Sequence, residues 1–596
     1  MTNQLQDTQT VDDHSYPYIF EQNVSVPLQG GGVIRCNVYR PKPSAQGQKY
    51  PVIATYGPYG KDIPYENFNP KSFAEVHPDQ KAIPEHCSWE TPNPKYWTSH
   101  NYVVVRADET GTGQSPGLLH ILSQATIDGF YDLIEWASEQ PWSTGKVGLL
   151  GISYYAATQW QVAARHPKGL AAIVPWEGFS DYYRDAGRHG GILSNAFFRS
   201  WYARQVAPNQ YGLPGRAARN WGPDTVDGDL TEEELKKNMV PLDDFLHQRF
   251  RDDEDYRASG YNLEDVQVPL LSVANLGGIL LHLRGNVEGF THASSPLKYL
   301  RFIAGRHDLP FYYPDEIELQ RSFLDAFLHA TDRVGWATPG AVAPVSLLLR
   351  QGDVGHNNPA GEATFPRRPE LEWPLARTAY TPFHLTPSST LLPTRPAAAP
   401  QPTKLSYAAL GPAPSLLTFT TPPFASATEL TGHAVAHLHV SVSPARARRP
   451  PPSDLDLFLS LRHVGAGGAQ IAYTGTTGEA APVTKGWLRA SLRRVNAAHA
   501  WHRAWLPRRE YVRSDVRPVL AGEVYAVDVE MWPTCVVVRE GERLVLEVAA
   551  GDTEGSGVFG HDDGVDRPAD VFQGLNHIHF GPKYENYITL PVIPPK

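Results

Sequence analysis

The chain has 596 residues, of which 41% are hydrophobic and 19% charged, with a formal charge of −10. That length gives room for roughly two to four domains with large cores, and the composition is globular rather than disordered. An acidic surface speaks against nucleic acid or an anionic membrane as partner. Three scattered cysteines, Cys36, Cys87 and Cys535, are too few for a disulfide framework or a zinc knuckle.

From Met1 to Ser15 the chain is polar and lacks the basic-then-apolar order of a signal peptide. No apolar run approaches the roughly 20 residues that span a bilayer, so a cytoplasmic protein is expected. Residues 32–40 alternate in strand fashion. Short apolar, β-rich runs then recur at Pro51–Thr55, Tyr102–Arg106, Lys146–Leu150, Leu170–Pro175, Val268–Ala274 and Tyr299–Ala304. Helix-like stretches at Thr126–Gln140, Tyr155–His166 and Pro314–His329 separate several of them. Strands alternating with helices predict a parallel sheet with crossover connections.

One of those crossings carries chemistry. From Lys146 to Ala157 an apolar strand runs into Gly151, a single serine, and a helix that opens on small side chains. A nucleophile elbow needs that order, because the strand-to-helix turn is sharp enough for bulky neighbours to collide. Gly151 and the Ala156–Ala157 pair supply the space, which makes Ser153 the candidate nucleophile. A serine hydroxyl needs a base, usually a histidine oriented by a carboxylate. His307, in a loop just after the run Tyr299–Ala304, stands where that base is expected. His282 and His292 are rivals, but they fall in a helix-like region after the preceding strand.

The insertion over residues 176–266 is rich first in aromatics (Tyr182, Tyr183, Phe197, Phe198, Trp201, Tyr202, Trp221) and then in acids (Glu232, Glu233, Glu234, Asp243, Asp244, Asp252, Asp253). It reads as a helical cap over the end of the sheet that carries the elbow, the alternative being a peripheral insertion. After about residue 335, Pro, Ala and Thr dominate. Leu391–Pro402 resembles an extended surface connection, and alternating runs at Leu455–Leu461, Val524–Met531 and Leu544–Val548 predict a β-sandwich or jelly roll. His577 and His579 alternate there without a third ligand nearby, which favours strand packing over metal. The expected organisation is hydrolase core over 1–175 and 267–335, cap over 176–266, and β domain over 336–596. No metal or organic cofactor is implied.

Several blocks together carry a family resemblance. Pro51–Tyr59, Asp108–Gly117 and Trp136–Tyr154 resemble the cocaine-esterase-like (CocE/NonD-type) α/β-hydrolases, a group that includes X-prolyl dipeptidyl peptidases and α-amino-acid ester hydrolases. Asp454–Phe458 and Gly486–Arg493 are similar to that group's C-terminal jelly roll, so the resemblance spans about residues 20–595. It implies an oxyanion hole made by the Tyr59 hydroxyl and the backbone amide of Tyr154. Three departures stand out. Ala156 replaces a family glycine, and Thr110 replaces a family arginine. The segment Asn275-Leu276-Gly277-Gly278-Ile279 holds no acid where the family's triad aspartate should follow its strand.

Without an orienting carboxylate the imidazole can adopt the wrong tautomer, at a cost of up to about ten-thousandfold in rate. Glu177, after the strand that follows the elbow helix, is the favoured substitute; Glu288 and Asp308 are weaker rivals. The expected activity is serine hydrolysis of an ester or amide of a medium-sized, largely apolar small molecule through an acyl-enzyme. Two alternatives stay open: acyl transfer or cyclisation in small-molecule biosynthesis, and a non-covalent binding or proton-transfer role. A homodimer is compatible with the sequence.

Overall fold

A computed structural model of the chain describes residues 9–396, 401–445 and 450–595. An eleven-stranded sheet forms the first half. Its central strands run parallel, in the spatial order Val103–Asp108, Tyr50–Gly57, Ser143–Ile152, Leu170–Trp176, Leu270–Asn275 and Lys298–Ile303. Tyr50–Gly57, Val103–Asp108, Leu170–Trp176 and Leu270–Asn275 are buried along almost their whole length, as expected of near-continuous apolar runs covered on both faces. Helix Gln124–Glu139 packs on one face, its start fixed by a capping box in which Ser123 and Thr126 satisfy each other's backbone amides. Helix Tyr154–Ala163 is buried over all its residues, which is why it lacks a polar stripe.

The sheet does not stop at residue 335. Val345–Leu348 extends it in parallel beside Lys298–Ile303, and Arg367–Glu370 closes the edge antiparallel. Assigning 336–596 wholly to the β domain is therefore corrected: a four-residue apolar strand is hidden in Pro- and Ala-rich sequence whose texture matches that of the β domain. At the other edge Thr10–Asp12 pairs with Phe20–Gln22, while residues 1–8 of the polar start lie outside the described residues. Within Leu391–Pro402, Leu391–Leu392 pairs with His384–Leu385 as a strand; residues 397–400 lie outside the described part.

The insertion folds into short helices, Asn195–Trp201, Glu232–Lys237, Leu242–Leu246 and Glu254–Ala258, and a small hairpin of Arg188–His189 with Ile192–Leu193. Its aromatics pack on one another, with the Tyr182 ring stacked 4.9 Å from Phe245. It reaches the chemistry directly, because the Trp201 indole N–H donates to the Tyr59 hydroxyl at 3.0 Å.

The second half is a thirteen-stranded, largely antiparallel β domain built around the long pair Thr428–Ser443 and Tyr525–Val538. It has its own apolar core, including Leu438, Val440, Leu459, Leu546 and Ile588. A buried ion cluster ties it to the cap: Arg188 and Arg489 reach Asp566 at 2.7 and 2.9 Å, and Arg489 also holds Asp456 at 2.9 Å. Removing one member of such a desolvated set leaves an uncompensated charge and costs about 3–5 kcal/mol. Among the described residues no helix is long and apolar enough to cross a membrane.

Candidate active site

Ser153 sits between strand Ser143–Ile152 and helix Tyr154–Ala163 with φ 60° and ψ −115°, outside the regions that L-residues favour. Neighbouring backbone holds it there. Its N–H lies 3.2 and 3.1 Å from the carbonyls of Trp176 and Glu177, and its C=O accepts from Ala156 and Ala157 at 3.0 and 2.8 Å. Gly151 has no room for a side chain, since a Cβ would lie 2.6 Å from Tyr155 Cβ. Alanine is accommodated at 156 because the opposing residue is Gly178, where a Cβ would come 2.6 Å from Ala156 Cβ. Gly178 thus supplies the space that this contact needs. The Tyr154 amide, at the first helical position, has no acceptor within the helix.

Ser153, Tyr59 and His307 line one cavity of about 290 Å³, with Trp89, Phe197, Trp201, Leu281 and Phe559 as its apolar walls. His307 lies in the turn after Lys298–Ile303, and its Nδ1 is 2.8 Å from Glu177 Oε2. Glu177 is fully buried in a left-handed conformation (φ 47°), with its amide bonded to the Val273 carbonyl at 2.9 Å. Its other oxygen accepts from Asn275 Nδ2 at 3.1 Å, and Asn275 also donates to the Gly305 carbonyl at 2.8 Å. The strand end that lacks the expected acid thus braces the acid supplied by the neighbouring strand. The segment is crowded as well, because a Cβ on Gly277 would lie 1.9 Å from the Thr474 carbonyl of the β domain. That domain also fixes the histidine turn through a bond from the His307 amide to the Thr476 carbonyl at 3.0 Å.

The serine's own partner differs from expectation. Ser153 Oγ is 3.2 Å from His282 Nε2 and makes no hydrogen bond to His307. His282 is fully buried at the start of helix Leu283–His292, stacked 5.7 Å from Phe179 and 5.1 Å from His307. Its Nδ1 accepts the Phe179 N–H at 3.2 Å, so the proton of the neutral ring sits on Nε2 and is donated to Ser153. Burial, and then the charge on His307, hold the His282 pKa well below the usual histidine value. This ring orients the hydroxyl; it is not poised to take a proton.

His307 is in the opposite state. Burial works against its charge, but Glu177 at Nδ1 and Glu90 at Nε2, 3.1 Å away, outweigh it and hold the pKa well above 6.5. Glu90 went unnoticed in the sequence. It belongs to an irregular loop, Ser88-Trp89-Glu90-Thr91-Pro92, with no periodic pattern, and only a lone acid among aromatic and proline residues marked it. Burial raises the Glu90 pKa, with the His307 contact opposing that shift. Tyr59 is buried, and its pKa is held well above 10 by that burial and by Glu90, so it remains a protonated donor.

Of the other rivals, Glu288 and His292 lie elsewhere, and Asp308 lines the same cavity but is held by other partners. Glu288 pairs with His292 at 3.5 Å and Arg284 at 3.9 Å, and His292 stacks on Trp501 at 3.7 Å. Asp308 accepts from Tyr65 and Arg306, each at 3.0 Å, and from Ser72. In the β domain His577 bonds Ser406 and Ser443 at 2.7 and 2.8 Å, while His579 bonds Ser441 at 2.8 Å.

Comparison with known proteins accounts for most of the chain. Residues 30–307 match the model of the X-Pro dipeptidyl-peptidase (S15 family), and residues 340–589 that of the X-Pro dipeptidyl-peptidase C-terminal non-catalytic domain. Cocaine esterase of Rhodococcus sp. (strain MB1 Bresler) is 24% identical, over 97% of this chain and 99% of its own length. A putative Xaa-Pro dipeptidyl-peptidase of Bacillus cereus is 29% identical over 27% of this chain and 30% of its own. The solved structure of a CocE/NonD family hydrolase from Staphylococcus aureus, 25% identical, matches with a TM-score of 0.79 over 98% of this chain and 96% of that one. With an α/β-hydrolase core, a nucleophile elbow and a C-terminal β domain in the shared order, this chain is a serine hydrolase of the CocE/NonD family.

Proposed function

We propose that the enzyme cleaves an ester or amide of a medium-sized, largely apolar small molecule through an acyl-enzyme on Ser153. Ser153 Oγ attacks the acyl carbon while its proton passes to His307. The imidazolium, steadied by Glu177, then gives that proton to the departing alcohol or amine. Water repeats the cycle on the acyl-enzyme. The Tyr59 hydroxyl and the Tyr154 amide donate to the oxygen that becomes negative. The carrying observation is the 2.8 Å Glu177–His307 contact on the wall of the cavity that also exposes Ser153. The apolar walls, drawn from the cap, the loop around Trp89 and the β domain, favour an apolar acyl or alkoxy group.

The test is intact-mass analysis after treatment with a fluorophosphonate. One adduct is expected on the native enzyme and none on Ser153→Ala. Labelling without turnover of any ester would redirect the acyl group to an amine or hydroxyl acceptor. The hydrogen bond from His282 to Ser153 favours a second scheme, in which Ser153 stays a hydrogen-bond partner and the Glu90–His307–Glu177 array moves protons on a bound molecule. An unlabelled native enzyme at every pH would select it.

A further inference from the structure

The hydrolytic cycle makes no use of Glu90, yet nothing about that residue is casual. Its backbone is left-handed (φ 60°), and its carbonyl accepts from the amide of Ile152, the residue before the nucleophile, at 3.1 Å. Trp89, beside it, packs 5.0 Å from Tyr65 and 5.1 Å from Phe68, which anchors the loop. The Glu90 side chain is 4% exposed, with Oε1 on His307 Nε2 and Oε2 buried without a hydrogen-bond partner. In a working triad Nε2 faces the serine. Here Nε2 is occupied by a carboxylate, and the serine oxygen is held by a different ring.

We propose that Glu90 is a positioning residue that holds His307 doubly protonated at rest, so that Ser153 gains its base only when the Glu90–His307 pair loses one proton and Nε2 turns from carboxylate to serine. This rests on the proposed hydrolase function. The proton lost goes to solvent. Nε2, now a lone pair, takes the Ser153 hydroxyl proton as Oγ bonds to the acyl carbon, and returns it to the leaving group. The ionisable groups around the ring are consistent with this assignment. Glu177 faces Nδ1 from the end of strand Leu170–Trp176, Glu90 faces Nε2, and neutral His282 stacks from the following helix. Tyr59 stays protonated. On the ring's own loop Arg306 and Asp308 pair with each other at 3.0 Å, and Arg306 also reaches Glu75 at 3.0 Å. Lys71 and Arg204 line the same cavity, to which the β domain adds the uncharged residues Thr476, Thr477 and Phe559.

The experiment tracks the rate of fluorophosphonate labelling against pH. In the native enzyme the rate should rise with pH, with its midpoint above that of an ordinary histidine. Glu90→Gln keeps the shape and removes the charge. With one anion fewer beside it the imidazolium is less favoured, so the midpoint should move to lower pH by about 1 to 3 pH units. Labelling near pH 6.5 should then be at least tenfold faster than native. A Glu90→Gln profile superimposable on the native one, or slower at every pH, would overturn the assignment, as would a native midpoint at or below 6.5, which needs no variant to fold. Labelling of Ser153 with an unmoved midpoint defeats the role of Glu90 alone. No labelling at any pH defeats the acyl-enzyme and this role with it.

Discussion

Two imidazoles, His307 and His282, lie 5.1 Å apart and 15° from parallel in one buried site, yet they hold opposite charge states. Burial disfavours the charged form of both. What separates them is their ring partners: carboxylate oxygens of Glu177 at Nδ1 and Glu90 at Nε2 for His307, and the amide N–H of Phe179 at Nδ1 for His282. A carboxylate stabilises imidazolium and turns the ring into a proton carrier, whereas an N–H pins the neutral tautomer with its proton on Nε2. Environments that push neighbouring groups apart are how one site keeps a proton acceptor and a fixed donor side by side. The division of labour is therefore set by second partners, not by which histidine is nearer to Ser153.

Breaking the anionic side should have the larger effect. Glu177→Gln replaces the acceptor at Nδ1 with a group that cannot stabilise the charged ring. Fluorophosphonate labelling of Ser153 should fall about 10³- to 10⁴-fold, with the far-UV circular dichroism spectrum retained. The oxyanion donor comes next. Tyr59→Phe keeps the ring packed against Tyr155, 5.3 Å away, and removes one hydroxyl. Ester turnover should drop about 10²- to 10³-fold, the usual consequence of losing one donor from an oxyanion hole. Loss of turnover at unchanged KM would place the effect in the transition state.

The sequence disclosed unevenly which residues take part. The parallel sheet and the elbow were legible because they rest on local patterns: apolar runs, a small–Ser–small turn, and a histidine after the right strand. Glu177 was reachable by topology, since adjacent parallel strands end side by side and their loops can serve the same histidine. Glu90 was not, because an irregular loop between Tyr50–Gly57 and Val103–Asp108 has no periodicity, and long-range contacts such as the bond from the Ile152 amide to its carbonyl bring it to the nucleophile. Asn275 looked like a vacancy left by a missing acid and is a brace for Glu177. Strand Val345–Leu348 was hidden by composition: four residues in a Pro-rich stretch join the first sheet through long-range pairing alone.

The smallest expected effect discriminates most sharply between the two rings. His282→Phe preserves the stack on Phe179 and His307 but removes the N–H donated to Ser153 Oγ and the acceptor for the Phe179 amide. A lost neutral hydrogen bond is worth about 0.5–1.5 kcal/mol, so labelling should slow about tenfold or less. The stranded Phe179 N–H should lower stability by about 1–3 kcal/mol in denaturant unfolding. If His282 were itself the base, its removal would cost as much as the loss of Glu177, and the order of the two variants would close up or invert. The ratio of the two labelling rates, rather than either rate alone, therefore decides which imidazole receives the serine proton. A gap of a hundredfold or more in favour of His282→Phe keeps that role with His307, even though the hydroxyl leans toward His282 at rest.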